Sequence, residues 1–201
     1  MICILDSAVK SLENVGDNAP IDFITDKTVF VTSQRFTGDL IAEADDLTGT
    51  LVANGLDAGD LICQKLADVS SLSGTYRARL SDDTGSPATR FIQATVPYVR
   101  TDGVKVADDY ADLVDCSGVC LQATINRDET GGSPAGDVLV WTDTILDGRH
   151  FSTFVDCLNW TSDNGDETAL VGNMDFTTSL WTQFVIFDSC DMFHRLYCFE
   201  Q

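Results

Sequence analysis

The chain has 201 residues, and its 32 acidic and 12 basic side chains give a formal net charge of −20. Hydrophobic residues make up 44% of the chain, so it does not have the composition of a disordered protein. A surface of this charge repels phosphate groups, which argues against nucleic acid and anionic membranes as partners. The length fits one domain, with room for an appendage.

The acidic residues are 27 Asp and only 5 Glu. Asp favours caps, turns and loops, whereas Glu is a good helix former. The excess of Asp therefore predicts that most carboxylates lie in irregular structure. Solvated loops are the favoured interpretation, with calcium-binding loops and solvation in a saline medium as the alternatives.

Two parts of the chain differ in pattern. Residues 1–27 combine a short amphipathic piece with the breaker cluster Gly-Asp-Asn-Ala-Pro at 16–20, which predicts an amino-terminal arm or linker. A compact domain is predicted over residues 28–201. Its predicted elements are a strand at 29–32, a helix at 57–69, a strand at 75–81, a shorter helix at 106–114, and strands at 138–141, 183–187 and 195–199.

This order predicts an α+β fold with two short helices, a mostly antiparallel twisted sheet and long loops. Asp57 or Asp60 is expected to cap the first predicted helix. The apolar runs are strand-sized, so no transmembrane segment is predicted. The apolar run at the amino terminus is too short to predict a signal peptide.

The seven cysteines indicate an oxidising compartment and form no Cys-x-x-Cys pair, which argues against a zinc ribbon. Six of them could form three disulfides, and Cys3 is the cysteine expected to remain outside these pairs. A bridge between Cys63 on the first predicted helix and Cys198 on the last predicted strand would stabilise the fold by about 5 kcal/mol in the chain-entropy description. A bridge between Cys157 and Cys190 would contribute roughly 3–4 kcal/mol. Cys116 and Cys120 could close a small local loop.

Motifs in matching order along residues 28–201 resemble those of collagen-derived endostatin domains. They are Leu-Ile-Cys-Gln at 61–64, Leu-Ser-Gly-Thr-Tyr-Arg-Ala-Arg-Leu-Ser at 72–81, Pro-Tyr-Val at 97–99, Val-Trp-Thr at 140–142, Cys-Leu-Asn-Trp at 157–160 and Leu-Tyr-Cys-Phe-Glu at 196–200. The chain resembles more closely a bacterial family of lipoprotein-type surface domains. In that family a Phe-Val-Thr-Ser strand opens the domain and a Tyr-Cys-Phe-Glu strand closes it.

This resemblance implies a C-type-lectin-like fold and the nested pairs Cys63–Cys198 and Cys157–Cys190. It does not carry over the metal and heparin binding of endostatin. The endostatin zinc site uses amino-terminal histidines, whereas this chain has only His150 and His194. The endostatin heparin face is rich in arginine, and here it would be acidic.

Sugar-binding members of the C-type-lectin-like fold coordinate calcium with carboxylate and amide oxygens. A similar set begins within the Cys-Leu-Asn-Trp motif at 157–160 and continues beyond it, at Asn159, Asp163, Asn164, Asp166 and Glu167. Calcium at Asp163, Asp166 and Glu167 is therefore one hypothesis, and a solvated turn is the favoured alternative. Asn159, Asp163 and Asn164 are also candidate ligand-binding residues.

Catalysis has little support in the sequence, and the chain is predicted not to be an enzyme. Cys190 and His194 are close in sequence, but a bridge at Cys190 would consume the thiol. His150 follows a turn and is predicted to lie at the surface. Trp141 and Trp160 are predicted core residues, and Trp181 is the predicted partly exposed tryptophan, available to stack on a ligand.

The sequence is compatible with two hypotheses about function. The first is a secreted or cell-surface module for adhesion that binds an extracellular protein or glycan through loops between residues 124 and 182. The second is a structural subunit of an extracellular assembly, such as a surface filament, a surface layer or a virion. In that hypothesis the arm at 1–27 and Cys3 would make contacts between copies of the chain.

Overall fold

The computed structural model describes residues 25–116, 119–152 and 155–201, so most of the predicted arm at 1–27 lies outside the described residues. The strands are β1 (Lys27–Val31), β2 (Tyr76–Ala78), β3 (Tyr98–Arg100), β4 (Lys105–Ala107), β5 (Leu139–Trp141), β6 (Thr168–Asn173), β7 (Phe187–Ser189) and β8 (Arg195–Glu200). The right-handed α-helices are α1 (Leu40–Thr48), α2 (Gly55–Val69), α3 (Pro87–Arg90) and α4 (Tyr110–Val114), and a short 3₁₀ helix spans Ser179–Trp181. These elements confirm the predicted α+β class, but the expectation of only two helices is wrong.

The strands form one sheet in the order β4-β3-β1-β8-β5-β6-β7, and β2 pairs with β8 outside this path. The pairs β1–β3 and β5–β8 are parallel, and the other described pairs are antiparallel. The sheet is therefore mostly antiparallel, as predicted. The last strand of the chain, β8, lies between β1 and β5 near the centre of the sheet.

The core lies on both faces of the sheet because successive side chains along a strand point in opposite directions. On β8, Leu196 and Cys198 belong to one buried cluster, together with the apolar sides of α1 and α2. Tyr197 and Phe199 belong to a second cluster on the opposite face. The strand is consequently buried from both sides.

Local capping explains where the two longer helices begin and end. Asn54 caps α2, because its side-chain oxygen accepts a hydrogen bond from the backbone N–H of Asp57. The expectation that Asp57 or Asp60 caps this helix is therefore wrong. Helix α1 was not predicted; it is capped by Asp39 and ends at Gly49, whose φ of 69° suits glycine.

Two predicted elements differ in detail. The region predicted as one helix at 106–114 begins with strand β4 and continues as α4, which starts where Asp109 caps the backbone N–H of Asp112. The strand predicted at 183–187 begins only at Phe187. Val185 interrupts it because its φ of 57° lies outside the β region.

Three disulfides join the cysteines in the pairs considered above. Cα–Cα distances are 5.4 Å for Cys63–Cys198, 5.7 Å for Cys157–Cys190 and 4.4 Å for Cys116–Cys120. The first disulfide ties α2 to the central strand β8, so the end of the chain is fixed to the front of the domain. Among the described helices, none has the length and apolar character needed to cross a bilayer.

Candidate functional site

All three tryptophans are buried. Trp141 and Trp160 are core residues, as predicted. The expectation that Trp181 is partly exposed is wrong, because its ring packs against Tyr197 and under the guanidinium of the buried Arg79, 4.4 Å from the ring centroid. Trp181 is therefore part of the second core cluster and is not available to stack on a ligand.

The predicted calcium ligands lie in a surface turn. Asp163, Asn164 and Asp166 are exposed and Glu167 is half-buried. The amide oxygen of Asn164 accepts a hydrogen bond of 3.1 Å from the backbone N–H of Asp166, as in a solvated turn. No described contact brings the carboxylates of this turn together, and calcium at Asp163, Asp166 and Glu167 remains a prediction.

The fourth predicted ligand-binding residue, Asn159, lies in an unusual backbone segment. Cys157, Leu158, Asn159 and Trp160 form a single left-handed helical turn, with φ values of 52°, 54°, 59° and 61°. Left-handed geometry costs roughly 1–2 kcal/mol per residue other than glycine, so four in succession need strong external support. We call this segment the left-handed turn.

Contacts on three sides hold the left-handed turn in place. Cys157 is bridged to Cys190, and the indole of Trp160 donates a 2.9 Å hydrogen bond to the carbonyl of Ser81. Asp156 caps its start by accepting a 3.0 Å hydrogen bond from the backbone N–H of Asn159. Leu158 is left 56% exposed at the tip. Strained segments supported in this way concentrate at functional sites.

A group of exposed apolar side chains lies in the loop-rich half of the domain. We call it the apolar patch and define it as Phe151, Val185, Ile186 and Phe187. The rings of Phe151 and Phe187 touch, with centroids 5.5 Å apart, although both stay exposed. Val185 is 76% exposed and, as a β-branched residue at positive φ, is strained where glycine would not be. The chain therefore keeps a strained apolar side chain in contact with solvent.

A second group of polar residues was not foreseen in the sequence. Asp83, Asp143, His150 and Asp156 converge, and we call them the Asp–His cluster. Asp83 lies in the tight turn after β2, where Asp82 pairs with Gly85. Asp143 lies two residues after the end of β5, and Asp156 pairs with Ala169 of β6.

His150 closes the loop that begins beside Asp143. Its backbone pairs with Thr144, and its side chain is only 17% exposed. The expectation that His150 is a surface residue is therefore wrong: the loop folds back and turns the imidazole towards the buried carboxylates. Its Nε2 lies 2.6 Å from Oδ2 of Asp143 and 3.8 Å from Oδ2 of Asp156.

Several polar atoms of the Asp–His cluster lack hydrogen-bond partners. They are both carboxylate oxygens of Asp143, Oδ2 of Asp156 and Nε2 of His150. The short contact between His150 and Asp143 thus does not have the angles of a hydrogen bond. Asp83, His150 and Asp156 each offer one ligand atom, and these three atoms lie within 4.8 Å of one another. Among the described residues, this is the one group of three or more His, Cys, Asp or Glu side chains close enough together to hold a metal ion.

Burial and mutual repulsion in the Asp–His cluster disfavour ionisation of all its carboxyl groups at once. Burial, followed by the negative charge of Asp156, raises the pKa of Asp143 to about 9. Burial also raises the pKa of Asp156. Asp82 adds a nearby buried carboxylate, and one of its oxygens is unpartnered as well. Among the described ion pairs, His150 alone provides a basic side chain to this group.

The groups that could have formed a nucleophilic site are engaged in other contacts. Cys190 is bridged to Cys157 and carries no free thiol. His194 is 1% exposed, and its two ring nitrogens contact Asp137 at 2.7 Å and Asp188 at 2.9 Å. It also packs edge-on against Trp141. His194 is therefore a packed residue beside the central strand.

The chain was also compared with known proteins. No protein-family model matches it, and no curated protein matches it.

Proposed function

We propose that this chain is a non-enzymatic extracellular recognition module of the C-type-lectin-like, endostatin-like kind, which binds a protein through the apolar patch. The three disulfides support an oxidising, extracellular location. The single observation that carries the proposal is the pair of exposed, touching rings of Phe151 and Phe187, with Val185 and Ile186 exposed directly before Phe187 in the chain, on a protein of net charge −20. Contiguous exposed apolar surface of this kind marks interaction sites.

The local backbone supports a binding role for the apolar patch. Val185 stands at positive φ and is exposed, so neither core packing nor backbone preference accounts for a valine there. The adjoining Phe184 donates its backbone N–H to Val171 of β6 at 2.8 Å, which anchors the loop to the sheet. A rigid loop that displays apolar side chains loses little conformational entropy when a partner covers it.

A protein partner fits the apolar patch better than a glycan does. Sugar rings are commonly bound by flat aromatic faces, and all three tryptophans are buried. The patch instead combines two phenylalanines with the branched aliphatic side chains of Val185 and Ile186. Such mixed apolar surfaces resemble the desolvated centres of protein–protein interfaces.

The acidic residues around the apolar patch favour a partner with basic side chains. Acidic residues adjoin the apolar patch along the chain, at Asp188 and Asp191, and the exposed turn at 163–166 packs nearby because Ser189 bonds to the carbonyl of Gly165. A partner with Lys or Arg around an apolar centre would be complementary to this rim. Its association rate should fall as salt is raised, because added ions screen the exposed charges.

The experiment is a binding screen on two arrays, one of purified extracellular proteins and one of glycans. The wild type is compared with Val185→Ser/Phe187→Ser, and Leu51→Ser serves as the matched control because Leu51 is 77% exposed near α1, outside the apolar patch. We expect the wild type and the control to bind basic proteins and the double variant to lose at least tenfold in affinity. Glycan binding alone, or protein binding unaffected by the double variant, would contradict the proposal.

A further inference from the structure

We propose that the Asp–His cluster binds one divalent transition-metal cation, with Zn²⁺ as the best match, through Nε2 of His150 and the carboxylate oxygens that surround it. The proposal is independent of partner binding. It also concerns a different place and a different ion from the calcium expected at Asp163, Asp166 and Glu167.

The first argument is the number of unpartnered atoms. A buried polar atom without a hydrogen bond costs free energy, and such atoms are rare in folded proteins. Four atoms without a hydrogen bond meet here: both oxygens of Asp143, which is fully buried, Oδ2 of Asp156, and Nε2 of His150, which lies 2.6 Å from Oδ2 of Asp143 without hydrogen-bond geometry. A single cation would provide a partner for atoms of all three residues.

The second argument is charge. Carboxyl groups of Asp83, Asp143 and Asp156 lie against one imidazole, with Asp82 nearby, and a bound cation would take the place of the proton that the buried Asp143 holds. In the part of the chain that the structure describes, no lysine or arginine forms an ion pair with any of them. Buried carboxylates are stabilised by pairing with positive charge or by coordinating a metal, and a divalent ion would serve that purpose here.

The third argument is geometry. Zinc binds imidazole nitrogen and carboxylate oxygen at roughly 2.0–2.2 Å, which sets tetrahedral ligand atoms about 3.3 Å apart. Nε2 of His150 and Oδ2 of Asp156 are 3.8 Å apart, and the set with Asp83 lies within 4.8 Å. Asp83 and Asp156 would have to approach the ion by about 1 Å, and Oδ2 of Asp143, now 2.6 Å from Nε2 of His150, would have to move away by about 0.7 Å to make room for it. Asp83 is exposed and free to make much of the approach.

The surroundings also favour coordination over a self-contained hydrogen-bond network. Oδ1 of Asp156 is occupied by the backbone N–H of Asn159, which leaves Oδ2 directed to the cluster. Hydrogen bonds of this type orient metal ligands. The amide oxygen of Asn159 also accepts a 3.0 Å hydrogen bond from the backbone N–H of Asp83, so the left-handed turn positions two of the ligands.

The ligand types select the ion. Calcium and magnesium favour shells made wholly of oxygen, whereas zinc, iron and nickel accept imidazole readily. The three side chains with ligand atoms within 4.8 Å of one another, His150, Asp83 and Asp156, give zinc one nitrogen and two oxygen ligands, and a fourth position stays open as in three-ligand zinc sites. Because Asp83 is exposed, an ion can enter from solvent and a coordination position can stay accessible to it.

The test uses the full chain in a Cys3→Ser background, which removes the one cysteine outside the disulfides. Chelator-treated protein is titrated calorimetrically with Zn²⁺ and separately with Ca²⁺, and Co²⁺ absorption reports the ligand field. Asp83→Asn and His150→Gln remove ligands, and Asp163→Asn is the matched control in the exposed turn. Circular dichroism checks that each variant is folded, and Asp83→Asn changes only an exposed side chain.

We expect one Zn²⁺ per chain, affinity reduced at least tenfold by Asp83→Asn and by His150→Gln, and no change with Asp163→Asn. Co²⁺ should show visible bands without thiolate charge transfer. No micromolar Zn²⁺ binding, or binding that both ligand variants leave unchanged, would overturn the proposal. Ca²⁺ binding as tight as Zn²⁺ binding would overturn the choice of ion, and loss of binding in Asp163→Asn alone would place the ion in the other turn.

Discussion

The rings of Phe151 and Phe187 lie with their centroids 5.5 Å apart, and both rings stay exposed. The backbone N–H of Phe151 donates a 3.0 Å hydrogen bond to the carbonyl of Asp143, and His150 is the preceding residue. One loop therefore contributes both to the apolar patch and to the Asp–His cluster. The two features are neighbours on the same part of the domain, although each is proposed on separate grounds.

Replacing Val185 with glycine should separate stability from binding. Glycine relieves a left-handed strain of about 1–2 kcal/mol and adds roughly 0.4–1 kcal/mol of unfolded-state entropy, so stability should be unchanged or slightly higher. Partner binding should fall because apolar surface is lost. Urea unfolding and array binding measure the two effects. Ile186→Gly is the control, since Ile186 has no positive φ and glycine there should lower stability by about 0.5–1 kcal/mol.

Removing Trp181 should affect folding rather than recognition. Trp181→Ala deletes a fully buried ring in contact with Tyr197 and Arg79, and such changes cost about 3–5 kcal/mol. The folded fraction should still bind through the apolar patch. Denaturant unfolding with parallel binding assays tests this. Weaker binding without a loss of stability would mean that Trp181 contributes to the binding surface.

The disulfides should differ in their contributions to stability. Replacing Cys157 and Cys190 with alanine should cost about 3–4 kcal/mol in the chain-entropy description, because that pair closes a loop with a sequence separation of 33. The pair Cys116–Cys120, with a separation of 4, should contribute only about 2 kcal/mol. Urea midpoints of the two double variants measure the difference, and equal losses would contradict this ranking.

The buried tyrosines should make the domain sensitive to alkali. Burial raises the pKa of Tyr76 and that of Tyr98 to about 12, whereas an unfolded tyrosine titrates near about 10. The folded state thus keeps these protons to higher pH. Their stabilising contribution is present below pH about 10 and is lost as the pH rises towards 12.

Urea unfolding measured at intervals between pH 9 and pH 12, as approximate limits set by those pKa values, tests this dependence. Tyr98→Phe removes one titrating group and should flatten the loss of stability in that interval. A variant as sensitive to alkali as the wild type would show that Tyr98 does not contribute.

Local patterns in the sequence were sufficient to predict several helices and strands. The apolar stripe of α2 has the period of a helix, and β1 carries a continuous β-branched run, so both are predicted close to their observed bounds. Helix α1 was missed although Asp39 and Gly49 are ordinary start and stop signals. Strands β3 and β4 have three residues each, too few for a periodic pattern.

The candidate site depends on contacts between distant residues. Asp83 comes from the turn after β2, whereas Asp143 and His150 come from the loop after β5. Only the pairing of β2 and β5 with β8 brings these loops together. No spacing in the sequence encodes that meeting, which is why His150 was assigned to the surface. Trp181 was misassigned for a similar reason, since its burial depends on Arg79 and on the far strand β8.

The most direct test of recognition through the apolar patch is amide hydrogen exchange on the chain, free and bound to a basic extracellular protein selected on the array. The account predicts slowed exchange in the loop at 183–187 and around Phe151, with no change in α1 and α2. Protection confined to the α1–α2 side of the domain would contradict it.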